Sequence, residues 1–159
     1  MKKIMIVAAL GAAVAATPAL ADDFSGVRGE LTVGFDDAVH AHNTQDVTYG
    51  ANVGVDAKVW DDVILGVEAN IDNVFGDHRS VGASARVGYI VDDAVLLYAK
   101  AGYANWKDAT SQKLDGLRVG AGFEVPVAGP VYAGAEYTYT DFEKGVGKHG
   151  ARVKVGVRF

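Results

Sequence analysis

Cysteine is absent from the chain, and proline occurs only three times. Without cysteine, the disulfide framework that usually holds small exported domains together is excluded, so another device has to supply that stability. So little proline beside 20 glycines favours a turn-rich β protein over a helical one. Half of the residues are hydrophobic, yet no apolar run reaches the roughly 18 residues that would carry a helix across a bilayer. At 159 residues the chain is long enough for one domain.

The first 21 residues read as a separate object. Lys2 and Lys3 make a basic start, Ile4–Ala16 is apolar, and Ala19-Leu20-Ala21 is a small-x-small cleavage site. The run is too short for a membrane anchor and ends at Pro18. Residues 1–21 are therefore expected to be a cleaved secretory signal, and residues 22–159 the mature domain. Cleavage removes two of the 15 basic residues and none of the 20 acids, leaving a formal charge of −7. That balance argues against a nucleic-acid partner.

What is present is alternation. In the last ten residues, Ala151, Val153, Val155, Val157 and Phe159 are apolar, while Arg152, Lys154, Gly156 and Arg158 between them are small or cationic. Period-2 alternation gives a strand one apolar and one polar face. The pattern occurs eight times, over 27–35, 47–58, 63–71, 81–89, 95–103, 117–125, 131–140 and 150–159. Each run is close to the 9–11 residues that a tilted strand needs to cross a bilayer. The expected fold is all-β: an eight-stranded antiparallel up-and-down transmembrane barrel with an interior filled by polar side chains.

The connections also alternate. Trp60-Asp61-Asp62, Asp92-Asp93-Ala94 and Ala128-Gly129-Pro130 read as tight turns. The segments Asp36–Asp46, Asp72–Arg79, Asn105–Asp115 and Glu143–His149 read as longer loops. Short turns on one side and long loops on the other is the asymmetry of outer-membrane barrels, and it predicts periplasmic termini. Phe35, Tyr49, Tyr103 and Tyr139 fall near the loop ends of the apolar faces, and Trp60, Tyr89 and Phe159 near the turn ends. Two such aromatic girdles suit two membrane–water interfaces. A soluble ligand barrel would reverse the faces, apolar inside and charged outside.

The polar faces carry Arg28, Lys58, Arg86, Lys100, Arg118, Arg152, Lys154 and Arg158 against Glu30, Asp56, Glu68, Glu124 and Glu136. An eight-stranded barrel is just wide enough for side chains to fill. Charges inside it must be paired, because an unpaired buried charge is very costly. Glycines on the same faces leave room for the long side chains. Counting back from the last loop sets Glu136 opposite Lys154 as a candidate pair. The expectation is a plugged core, with a narrow pore for small solutes or ions as the alternative.

Gly116-Leu-Arg-Val-Gly-Ala-Gly-Phe-Glu124, Ala135-Glu-Tyr-Thr-Tyr-Thr-Asp-Phe142 and the terminal Arg158-Phe159 resemble the last hairpins of small outer-membrane β-barrel proteins. Tyr98-Ala-Lys-Ala-Gly-Tyr103 is similar to their fifth strand. The group is the porin-like surface antigens of Gram-negative bacteria, with the architecture of the OmpA barrel and OmpX. The resemblance implies an outer-membrane location among lipid and lipopolysaccharide, as a monomer. It also implies chaperoned passage through the periplasm and insertion by the barrel-assembly machinery, which reads the C-terminal strand at Val155, Val157 and Phe159. Described roles range from envelope stability to adhesion. The short loops speak against an adhesin, and no peptidoglycan-binding domain follows the barrel in this sequence.

Three chemistries compete with a purely structural role. His40, His42, His78 and His149 all fall in predicted outer loops, with Asp36, Asp37, Asp77 and Asp141 near the same rim. Imidazoles converging from loops suit Zn²⁺ or Cu²⁺, but loop ligands are poorly preorganised, and four unrelated solvated histidines is the plainer expectation. A lipid A-modifying enzyme would need a serine nucleophile with histidine and an acid at the membrane boundary. His78 and Ser80 are neighbours and Ser111 lies in the third loop, but no strand sets a Ser/His pair toward lipid. Acidic residues at the outer rim could hold lipopolysaccharide through Mg²⁺ or Ca²⁺, or simply keep the loops solvated. Gly116–Gly122 alternates as a strand and is followed by no helix, so it is not a nucleotide loop. No cofactor and no catalysis are expected.

Overall fold

A computed structural model describes residues 24–39, 45–73, 79–107, 113–142 and 146–159. Eight strands account for almost all of them: β1 Gly26–Val39, β2 Gln45–Trp60, β3 Val63–Asp72, β4 Arg79–Val91, β5 Val95–Lys107, β6 Lys113–Ala128, β7 Val131–Phe142 and β8 Val146–Arg158. Each pairs antiparallel with its sequence neighbours, and β1 pairs with β8 to close a barrel. The seam runs from Arg28↔Arg158 to Val39↔Gly147. At its end Val27 and Phe159 exchange backbone hydrogen bonds of 3.0 and 2.8 Å. Closure leaves no edge strand, which a bilayer would not tolerate. Among the described residues no helix is long and apolar enough to cross a membrane.

The two faces divide as the alternation requires. Leu31 is 70 % exposed on the outer surface, whereas Arg28, three residues earlier, is 1 % exposed inside. Phe35, Val47, Val67, Leu117 and Val155 likewise face outward. The charged residues of the mid-barrel, Arg28, Glu68, Lys100 and Glu124 among them, point in. The barrel is thus an inside-out protein by soluble standards, its apolar band turned to the surroundings.

Strands run further than the sequence patterns indicated. They are 10 to 16 residues long, against the 9–11 expected. Asp36 and Asp37 belong to β1, Asp72 to β3, Asn105 to β5, Asp115 to β6, and Lys148 and His149 to β8. The four longer connections shrink to residues 40–44, 73–78, 108–112 and 143–145. Polar residues near a barrel rim read as loop in one dimension, yet the backbone continues to pair because each still has a partner strand beside it.

The three turns sit at the end where β1 begins and β8 ends. Asp92 and Asp93 both adopt positive φ, 51° and 53°, and the Ala94 N–H bonds the Val91 carbonyl at 3.0 Å. Aspartate tolerates this left-handed geometry better than most residues. At the same end Phe24, Ile64, Ile90 and Leu96 form a small apolar cluster inside the barrel. At the opposite end the rings of Trp106 and Phe142 lie 6.5 Å apart.

Candidate functional site: a charge network inside the barrel

Among the described residues fourteen charged side chains are buried in the barrel, seven cationic and seven anionic, so this set carries no formal net charge. They sort into two layers. The larger, toward the turn end, joins Arg28, Arg86, Lys100, Lys154 and Arg158 to Glu30, Asp56, Glu68, Glu124 and Glu136. Arg28 spreads over three acids, with Nη1 3.1 Å from Glu30, Nε 3.0 Å from Asp56 and Nη2 2.6 Å from Glu68. Glu124 gathers three cations: Arg86 Nη1 at 2.5 Å, Lys154 Nζ at 2.7 Å and Arg158 Nη2 at 2.6 Å. Arg86 Nε also donates to Asp56 at 2.8 Å, and Lys100 Nζ bridges Glu68 and Glu136 at 2.7 Å each.

The second layer lies toward the loop end. Arg152 Nη1 is 3.0 Å from Asp72 and its Nη2 is 3.4 Å from Asp36; Arg118 Nη1 is 3.5 Å from Asp72. Half-buried Lys148 reaches Asp36 at 2.7 Å. Arg118 Nε donates to the Thr140 hydroxyl at 3.0 Å, so hydroxyls complete what carboxylates leave open.

Two tyrosines tie the charges to the wall. The Tyr98 hydroxyl donates to Glu136 at 2.7 Å, and its ring lies under the Arg86 guanidinium and the Lys154 ammonium, 4.9 and 4.5 Å from the centroid. The Tyr132 hydroxyl donates to Glu30 at 2.8 Å, with Arg158 4.7 Å above its ring. Each ring needs a glycine facing it on a neighbouring strand. A Cβ at Gly122 would fall 2.5 Å from the Tyr98 oxygen, and one at Gly156 would fall 2.5 Å from the Tyr132 oxygen.

Twelve of the thirteen interior charges named from the sequence occupy the lumen. Lys58 does not: it is exposed at the turn end, beside a bulge between Lys58 and Trp60. At that level the interior is occupied by Ile64, directly opposite in register, so Lys58 stays outside the buried network. The Glu136–Lys154 pair is also corrected. Glu136 stands opposite Arg152, Lys154 opposite Gly134, and Glu136 is held by Lys100 and Tyr98 instead. The connection after β7 is only 143–145, which moves the register by two residues. Asp36 and Asp72 were missed. The signal was present: eight cations against five acids cannot be buried together, and one more alternating step along β1 and β3 supplies both carboxylates.

The other candidates separate. His40, His42 and His78 lie outside the described residues. His149 is in β8 and not in a loop; its ring lies tilted against that of Tyr139, with centroids 4.8 Å apart, and Nδ1 meets the Tyr137 hydroxyl. Asp77 and Ser111 lie outside the described residues, while Asp37 and Asp141 are exposed in β1 and β7. Ser80 faces the lumen, where Arg118 Nη2 approaches it at 3.5 Å. Val155 and Val157 belong to the outward series of β8, and Phe159 just after it exchanges backbone hydrogen bonds with Val27 at the closing seam.

The outer membrane protein beta-barrel domain model matches residues 5–159. The chain belongs to this family. Membership gives the location, the bacterial outer membrane. Among solved structures, the barrel is similar to Neisserial surface protein A at 19 % identity, covering 85 % of this chain and 98 % of that one with a TM-score of 0.59. The N-terminal β-barrel domain of Pseudomonas aeruginosa OprF matches at 19 % identity, 85 % and 99 % coverage and the same TM-score. The outer-membrane enzyme PagL matches at 15 % identity, 83 % and 99 % coverage and a TM-score of 0.59. At such identities the fold alone is shared, and an enzyme stands among the barrels that share it. None of the curated proteins matches the sequence significantly.

Proposed function

We propose that this family member is a sealed, non-catalytic barrel that contributes to the structure and integrity of the outer membrane. It is exported behind a cleaved leader at residues 1–21 and inserted by the barrel-assembly machinery through its C-terminal strand. It acts as a monomer with both termini in the periplasm and short loops at the cell surface. The observation that carries this reading is the interior charge network: among the described residues seven cations and seven carboxylates are buried, and they pair across the lumen. Moving an ion past them would mean breaking pairs whose separation leaves a buried charge uncompensated. The apolar cluster of Phe24, Ile64, Ile90 and Leu96 at the turn end supports it further.

PagL marks catalysis as the reading to weigh. Against it here stands Ser80, which is turned to the lumen and away from lipid. Two experiments test the proposal. Membrane fractionation, with gel mobility of boiled and unboiled samples, checks for a heat-modifiable barrel in the outer membrane. Planar-bilayer recordings of the pure protein are expected to show no stable conductance. Large, long-lived openings would replace the sealed barrel with a pore.

A further inference from the structure

The chain enters the barrel through a bend. Gly26, the first residue of β1, has φ 116°, a left-handed geometry that side chains rarely accept. The seam with β8 reaches Val27, which is bonded to Phe159, while Gly26 stands opposite Asp56 of β2. Just before the bend, Phe24 is 4 % exposed. Its apolar partners Ile64, Ile90 and Leu96 belong to β3, β4 and β5. None of those strands neighbours β1; in an eight-stranded ring they form the far wall.

Phe24 thus reaches across the turn-end mouth. From the near wall, on β8, the Arg158 guanidinium comes within 5.8 Å of its ring centroid. The same guanidinium lies over Tyr132 and reaches Glu124 at 2.6 Å. One ring therefore sits between an apolar wall and a cation of the buried network. Its attachment differs from that of its partners. Ile64, Ile90 and Leu96 are strand residues, locked by the ladder on both sides. Phe24 precedes β1 and is held by side-chain burial and the Gly26 bend. A chain end of this kind opens at far lower cost than a strand.

We propose that Phe24, carried on Gly26, is a hinged stopper that closes the turn-end mouth and keeps small solutes from Arg158 and Glu124. Seated, the ring buries the apolar wall and covers the guanidinium. Swung out, it opens the network from that end while all eight strands stay paired. The inference rests on the sealed-barrel reading above, and adds to it a moving part.

Because the chain has no cysteine, single substitutions report access cleanly. Leu96→Cys places a thiol beneath the stopper, and Ala104→Cys places one at the loop end, where Ala104 is also fully buried. Each is made in the full refolded barrel in detergent micelles, and labelling by a charged methanethiosulfonate is followed by mass spectrometry. Adding Phe24→Ala should speed labelling at Leu96→Cys at least about tenfold. Gly26→Val, which leaves the ring intact but disfavours the bend, should act in the same direction. Phe24→Leu, similar in bulk, should stay within about threefold. Ala104→Cys should label at one rate in all of these backgrounds. Heat-modifiable gel mobility verifies that each variant is folded. Labelling of Leu96→Cys that ignores Phe24 would overturn the stopper. So would an equal acceleration at Ala104→Cys, which would mean a loosened barrel and no local opening. Stable conductance from the native barrel removes the sealed reading itself. A silent native barrel with Phe24-independent labelling removes only the stopper.

Discussion

Glu124 shows how a single residue can hold a barrel interior. It is fully buried on β6 and receives Arg86 from β4 and both Lys154 and Arg158 from β8, so one carboxylate links three walls of the lumen. Glu124→Gln keeps the shape and removes the charge, leaving the interior one cation in excess. Breaking such a pair from one side costs roughly 3–5 kcal/mol. Urea unfolding in lipid vesicles, followed by gel mobility, should register a loss of that size. A change under about 1 kcal/mol would mean that the three cations reach water without it. At this scale the sequence was most legible where alternation was unbroken. All ten members of the larger layer lie on polar faces that period 2 marks out. Asp36 and Asp72 were obscured because acids beside glycine- and asparagine-containing segments also suit loops. Lys58 misled for the opposite reason, keeping the inward phase where the lumen had already ended.

Strands are constrained by what their neighbours project. Gly156 of β8 faces the Tyr132 ring, and any side chain there pushes that ring off Glu30. Gly29 of β1, on the outward face, has nothing within 4 Å of the position its Cβ would take. Two glycines in neighbouring strands thus have opposite expectations. Gly156→Val should destabilise by roughly 1–3 kcal/mol through overpacking. Gly29→Val should be neutral or stabilising, since it adds apolar surface to a band already apolar. Unfolding midpoints of the two variants, measured side by side, check this; equal losses would refute it. Element order and pairing followed directly from the pattern, because an up-and-down barrel pairs each strand with the next. Register did not. It depends on where the chain turns, and Phe142↔Val146 shows the last hairpin closing sooner than the polar run 143–149 indicates. That difference of two residues gave Glu136 the wrong partner.

In the whole molecule the charges divide into two populations that answer differently to salt. The interior set is neutral in sum, enclosed by eight strands and capped by apolar residues at the turn end. The rim set, with Asp37, Arg79 and Asp141 among it, is exposed at the strand ends. Mobile ions screen exposed charges over about 3 Å at 1 M salt but reach buried pairs far less. Raising NaCl from about 50 mM to about 1 M should therefore leave the urea midpoint of the barrel in neutral phospholipid vesicles nearly unchanged. A midpoint that dropped steeply with salt would place water and ions among the buried arginines, and the lumen would then be a hydrated channel.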